Sequence, residues 1–430
     1  MVKRTILPFF TLLILTCCTD DTTIEIPSEE ESIPVVSTNP NDIDFIGFEN
    51  IAWVKQGDDF EGLNFLSSEH SMDLNNTGNK IILGSKAKPN SCVNFCSGRI
   101  RVFAFETEEW TQTNQDIYGD INVEPNWAGY DVAMSDDGST IAVSYDSTEE
   151  FFRDGLTRVF RNDNSSWVQL GQDIPFRTSQ GSSIALNKKG NILVVLRFSS
   201  GNNSLRVFKL SENENWEQLG EEILVFLDMR HAELNSEGDV LIIGNDEGSF
   251  VEIYDVTDEG LMLNQEIREL NLEAFSSDLD LSANGKNFIV EGVATRRPTF
   301  ARADEPFFRV YHKTAAGWVQ KGQEIRLTPK NEGDIIIREQ AVTINKFGNL
   351  IAVAYREGTP GSPHVPSKKH VVIFQYFNSD EQWKQVSTIQ EEGFLKKIHD
   401  LDFNDDGDII GIVFEGGSSV YKIELVEESN

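Results

Sequence analysis

Positive charge, histidine, cysteine and methionine are all scarce in this chain. Against 70 Asp and Glu stand only 37 Lys and Arg, a formal charge of -33. A surface of that sign repels a phosphate backbone, so nucleic acid is not an expected partner. The 6 histidines are scattered over 430 residues, and only His364 and His370 fall near one another, short of the ligand set a zinc centre takes. There is no G-x-S-x-G elbow, no H-E-x-x-H pair and no phosphate-cradling glycine loop. Neither a metal nor a cofactor is implied, and no catalytic residue stands out. Carboxylate pairs for glycoside hydrolysis stay open, because folding assembles them without any sequence spacing. Nor is there a stretch of helical period, or an apolar run approaching the roughly 20 residues that span a bilayer.

What is present begins with "MVKRTILPFFTLLILTCCTDD": two basic residues, an apolar run from Ile6 to Leu15, then Cys17 and Cys18. This pattern reads as a secretion signal. With Leu15 three residues before Cys18, it resembles the lipobox of bacterial lipoproteins, which implies cleavage after residue 17 and lipid attachment at Cys18. The following stretch, "TDDTTIEIPSEEESIPVVSTNPND", resembles the acidic export tether of Bacteroidetes-type surface lipoproteins. Residues 18–43 are too polar to bury a core and form a leash. Removing residues 1–17 takes away Lys3 and Arg4, so the mature charge becomes -35. Cys92 and Cys96 then remain in "NSCVNFCSG", where an oxidising compartment allows a disulfide that would stiffen one short loop.

Residues 44–430 are organised by repetition. "WVQLGQDI" at Trp167 returns as "WEQLGEEI" at Trp216 and "WVQKGQEI" at Trp318, with Trp110 and Trp383 anchoring looser copies. Around each copy lies a larger unit: an alternating apolar strand, a glycine turn, a second apolar strand, a variable stretch, and a strand of the "RVF" type. The turn glycines are Gly78, Gly138, Gly190, Gly238, Gly285, Gly348 and Gly407. Asp-Gly and Asn-Gly turns between β-rich runs mark hairpins. The fourth unit carries Leu261 where the others have Trp, and the seventh stops before its fourth strand. Its missing phrase, "IAWVKQGDDF", stands at Ile51–Phe60. An orphan fourth strand at the start has no use in a linear solenoid, but in a closed ring it completes the last blade.

The pattern resembles a seven-bladed β-propeller of the WD40/YVTN-like or integrin type: all-β, four antiparallel strands per blade, closed by the N-terminal strand. The 382 residues from Asp44 to Leu425 give about 55 per blade. The repeated Trp is expected to bury area between sheets rather than to meet a ligand. "DFNDDGD", with Asp402, Asn404, Asp406 and Gly407, resembles the calcium hairpins of integrin-type blades, although turn chemistry accounts for the same residues.

In such blades the first-to-second and third-to-fourth turns share one face, and these are short here. On the other face the second-to-third connections of blades 1, 2, 5 and 6 are long. They place Phe151, Phe152, Arg296, Arg297, Arg302, Lys368 and Lys369 together, with Trp127 in a neighbouring link, as candidate ligand-binding loops. The expected function is a monomeric, lipid-anchored propeller of the outer membrane, displayed at the cell surface as a binding or scaffolding module for an unknown protein or glycan ligand, without catalysis. The alternatives are a propeller hydrolase or lyase acting on polysaccharide, and a periplasm-facing subunit of an envelope assembly. Polar side chains converging on the channel would favour the enzyme; an apolar channel would favour binding.

Overall fold

In the computed structural model the described residues are 51–60, 70–85, 98–119, 126–147, 155–176, 182–198, 203–225, 229–245, 250–269, 274–293, 306–327, 335–358, 368–389, 397–414 and 417–425. They form seven antiparallel sheets, one per repeat. The innermost strands are His70–Leu74, Asn126–Met134, Ser182–Leu186, Met229–Leu234, Ala274–Leu281, Ile335–Ile344 and Ile398–Phe403. The seventh sheet has only three strands from the end of the chain, and Ile51–Lys55 supplies its fourth. Ile51 pairs with Leu425, Trp53 with Ile423 and Lys55 with Tyr421. The expected all-β, seven-bladed propeller with an N-terminal closing strand is therefore the observed fold. All seven hairpin glycines have positive φ, as their turns require.

The apolar core lies between blades rather than within them. Alternating side chains of one sheet meet those of the next, as where Val159 and Phe176 of blade 2 pack with Leu193, Phe208 and Trp216 of blade 3. The same arrangement joins blade 7 to blade 1 through Phe60, Leu74, Ile409 and Val420. Burying such side chains contributes about 1.5–3 kcal/mol each, so the seams hold most of the fold's stability.

The repeated outer phrase is a joint between blades, and each of its letters has a task. The Trp216 indole N–H donates to the Leu170 carbonyl of the preceding blade at 2.9 Å. Gly171, at φ 79°, sits where any Cβ would lie 2.7 Å from Cδ1 of that indole, so only glycine lets the ring approach. Gln172 then brackets the Trp216 backbone, accepting its N–H at 3.0 Å and donating to its carbonyl at 2.7 Å. Finally Asp173 takes a bidentate ion pair from Arg158 of the "RVF" strand, at 2.8 and 2.9 Å. The same amide bracket runs from Gln115 to Trp167, Gln265 to Trp318 and Gln323 to Trp383. The turn at Gly171 interrupts the outer strand, so blade 2 carries it as two segments, Trp167–Gln169 and Ile174–Phe176, and blade 5 does the same as Gly317–Gln320 and Ile325–Arg326.

Trp216→Ala is expected to lower unfolding free energy by about 3–5 kcal/mol, and Gln172→Ala by about 1–2 kcal/mol. Urea denaturation followed by intrinsic fluorescence measures both.

Candidate functional site

An innermost strand pairs on one side only; its other edge faces the ring axis with N–H groups that need acceptors. The sequence supplies them at fixed offsets. Five residues before each hairpin glycine stand Asp73, Ala133, Ala185, Glu233, Asp280, Thr343 and Asp402; seven before stand Ser71, Asp131, Ser183, His231, Asp278, Ala341 and Asp400. Their register stacks them in two tiers around the axis. The seven carboxylates line a cup of about 400 Å³, with Lys188 and Lys346 at its base and Tyr130, Lys397 and His399 towards its mouth.

Six of the seven carboxylates reach forward to the next blade. Asp73 accepts the N–H of Met134 at 2.6 Å, and Asp131 that of Ile184 at 2.8 Å. Asp278 and Asp280 accept those of Val342 and Ile344 at 2.9 and 2.8 Å. Across the closure of the ring, Asp400 and Asp402 accept those of Met72 and Leu74 at 2.9 and 2.7 Å. Hydroxyls do the same work elsewhere: Ser71 for Val132, and Thr343 for Phe403. Glu233 differs, since no hydrogen bond to its carboxylate exists among the described residues.

Crowding of like charge away from bulk water sets the electrostatics. Burial pushes Asp280 up to about 6, against hydrogen bonds from Ile344 and Thr343 that pull it down. Asp278, Asp400 and Asp402 are raised well above the usual range, first by burial and then by their acidic neighbours. Glu233 is raised likewise, by burial and by repulsion from Asp280, Asp131 and Asp73. The two blades with no carboxylate on the axis, blades 3 and 6, carry the two basal lysines. Burial alone would lower the Lys188 ammonium, but Asp73, Asp402 and Asp136 reverse that and hold it charged. Lys346 pairs with Asp405 at 2.7 Å.

The "DFNDDGD" turn does not gather its oxygens on one point. Asp402 faces the cup, the Asn404 amide oxygen accepts the N–H of Gly407 at 3.0 Å and of Ile409 at 2.9 Å, and Asp406 is exposed. Among the described residues no group of acids, histidines or cysteines could hold a metal ion. His370 belongs to the third strand of blade 6 rather than a loop; it is fully buried, stacked on Tyr355 and 3.7 Å from Glu357.

Of the residues singled out in the sequence, Cys18, Cys92, Cys96, Phe151, Phe152, Arg296, Arg297 and Arg302 lie outside the described residues. Trp127 falls on the inner strand of blade 2, opposite Asp146. Lys368 and Lys369 open the third strand of blade 6, opposite Glu357 and Arg356. In the sequence the axial carboxylates are hidden among 70 acids. Their signal was available as an acid at a constant offset before successive turn glycines.

Because Asp131, Glu233, Asp278, Asp280, Asp400 and Asp402 bind protons more tightly folded than unfolded, stability rises as pH falls from 8 through their raised values, and the gain is complete below about 4. Asp116 and Asp173 act oppositely: hydrogen bonds from their neighbours, Arg99 and Arg158 among them, hold them low against the upward push of burial, so their contribution is lost at stronger acidity. The melting temperature is therefore expected to rise from pH 8 to pH 5 and to fall below pH 4. Glu233→Gln should raise it at pH 8 and flatten the slope; scanning calorimetry across that range measures both.

No protein-family model matches the chain, and no curated protein is recognisably related to it in sequence. Solved structures are similar in fold. The WD40 repeats of RRP9 superpose with a TM-score of 0.55 at 11% identity, covering 87% of this chain and all (100%) of that one. A protein from Lactobacillus plantarum gives 0.53 at 14%, covering 81% and 95%. Kuenenia stuttgartiensis hydrazine synthase gives 0.53 at 12%, covering 83% and 95%. At these identities the likeness is one of architecture alone, and it agrees with the strand pairing: the chain is a seven-bladed β-propeller.

Proposed function

We propose that the protein is a lipid-anchored binding module of the outer membrane, facing outward, whose propeller presents the acidic cup and the loops around its mouth to a protein or glycan bearing positive charge. The observation that carries this reading is the fixing of six axial carboxylates by backbone N–H groups of the following blade. Charges held in place by the scaffold form a preorganised negative field, which favours a cationic group without rearrangement. The address rests on the basic start, the apolar run and Cys18, followed by a polar leash.

The polar channel also favours a second reading, a hydrolase or lyase acting on polysaccharide. Glu233, whose carboxylate accepts no hydrogen bond among the described residues and whose pKa is raised, has the character of a proton donor. Against this, the other axial carboxylates already serve as structural acceptors, which leaves no comparable partner poised beside it.

Protease shaving of intact cells is expected to remove the propeller while a periplasmic control survives; protection until the cells are opened would place the protein inside the envelope. Ligands captured by the mature protein on arrays of glycans and surface proteins should carry amines or basic segments. Their affinity should fall about tenfold or more on raising salt from roughly 50 to 500 mM, and about tenfold in Glu233→Gln with Asp280→Asn. Polysaccharide cleavage abolished by Glu233→Gln alone would instead establish the enzyme.

A further inference from the structure

We propose that the ring opens first at the seam between blades 3 and 4, and not at the closure where blade 7 is completed by the N-terminal strand. Three kinds of polar clamp join neighbouring blades in this propeller. At the base, five of the seven hairpins donate a backbone N–H to the next hairpin's carbonyl: Lys346 to Asp405, Asp405 to Asn76, Asn76 to Asp136, Asp136 to Lys188, and Ser236 to Ala283. On the axis, an acid or hydroxyl caps the next inner strand. At the rim, a Gln brackets the next Trp.

Among the described residues, only the seam from blade 3 to blade 4 lacks all three. No hydrogen bond joins the Lys188 N–H to the Ser236 carbonyl. On the axis blade 3 offers Ser183 and Ala185, and neither caps the following inner strand. At the rim Glu221 stands where the bracket needs Gln, and Leu261 stands where it needs Trp. A carboxylate cannot donate to a backbone carbonyl, so the bidentate bracket is lost by chemistry as well as by sequence. By contrast, the closing seam from blade 7 to blade 1 has the hairpin link, two aspartate caps, and the Trp110 indole bonded to the Gln56 carbonyl at 3.0 Å.

Apolar packing holds the 3–4 seam, with Leu196, Leu205 and Val207 against Ala232, Leu241 and Ile243. Polar contacts there among the described residues include a 3.5 Å contact from the Asn187 amide to the Glu237 carbonyl and two ion pairs, Lys189 to Glu237 at 2.5 Å and Lys209 to Asp258 at 2.7 Å. Both pairs are exposed, and exposed pairs hold weakly. Apolar faces can slide or part without leaving a buried polar group unpaired, whereas the clamped seams cannot. Glu233 rises from blade 4 beside this seam and Ala185 faces the axis from blade 3, so opening here widens the cup next to the one axial carboxylate that accepts no hydrogen bond among the described residues.

Native-state thiol labelling of three variants, each read by peptide mass spectrometry, tests this. Val207→Cys reports the 3–4 seam, Val102→Cys the 1–2 seam and Val420→Cys the closure; all three valines are buried. Val207→Cys is expected to label at least about tenfold faster than the others without denaturant. Ile243→Cys, from the blade 4 side of the same seam, should agree, and replaces Val207→Cys if that variant does not fold. Equal or faster labelling of Val420→Cys, or one common rate at all sites, would overturn the proposal. Adding Glu221→Gln should slow labelling at Val207→Cys several-fold by restoring the bracket, and Glu221→Ala should not. An equal effect of the two would assign the change to charge and remove the clamp argument.

Discussion

The ring depends on one interaction: an aspartate on the inner strand of one blade accepting the backbone N–H of the inner strand of the next. A four-stranded blade has one edge on the axis that no further strand can cover, and its N–H groups would otherwise face each other across a narrow space. Hydrogen bonds to charged acceptors contribute about 1.5–3 kcal/mol each, and here they also fix the angular spacing of the blades. That solution gathers acids on the axis. Burial, aided by mutual repulsion, then raises the proton affinity of six of them, and two lysines from the two acid-free blades offset part of the charge. The acidic cup is therefore a consequence of how the ring is held before it is anything to a ligand.

The rim shows the same logic in neutral form. Trp, Gly, Gln and Asp in the repeated phrase are an anchor, a gap for the anchor of the next blade, a bracket and an ion pair. Fold and stability converge on these residues because the core is built from seams. Where the phrase degrades, as at Glu221 and Leu261, the seam changes from a polar clamp to an apolar contact.

Much of this architecture was legible in the sequence. Glycine turns between alternating apolar runs determine hairpins, and the orphan "IAWVKQGDDF" could belong only to a ring that closes on itself. The axial site was not legible in the same way. An acid before a turn looks like ordinary turn chemistry, and the channel appears only when seven repeats are set around one axis. Nor did the sequence show that Trp127, Lys368 and Lys369 belong to strands, because residues bordering long connections carry no periodic signal. The "DFNDDGD" turn misleads for a related reason: its Asp402 and Asn404 are a forward cap and a turn cap, and the spacing of a calcium loop arises from those two roles.

All of the clamps run in one rotational sense. Wherever they occur, carboxylate, hairpin N–H and glutamine reach towards the following repeat, so a repeat with its clamps intact carries one half of the joint on either side. A duplicate of such a repeat inserted between two others like it would arrive with both halves matched, and the loss of one would leave none stranded. The number of blades is thus open to change by whole-unit gene duplication or deletion, and the point at which the chain is cut into two ends is free to wander around the circle.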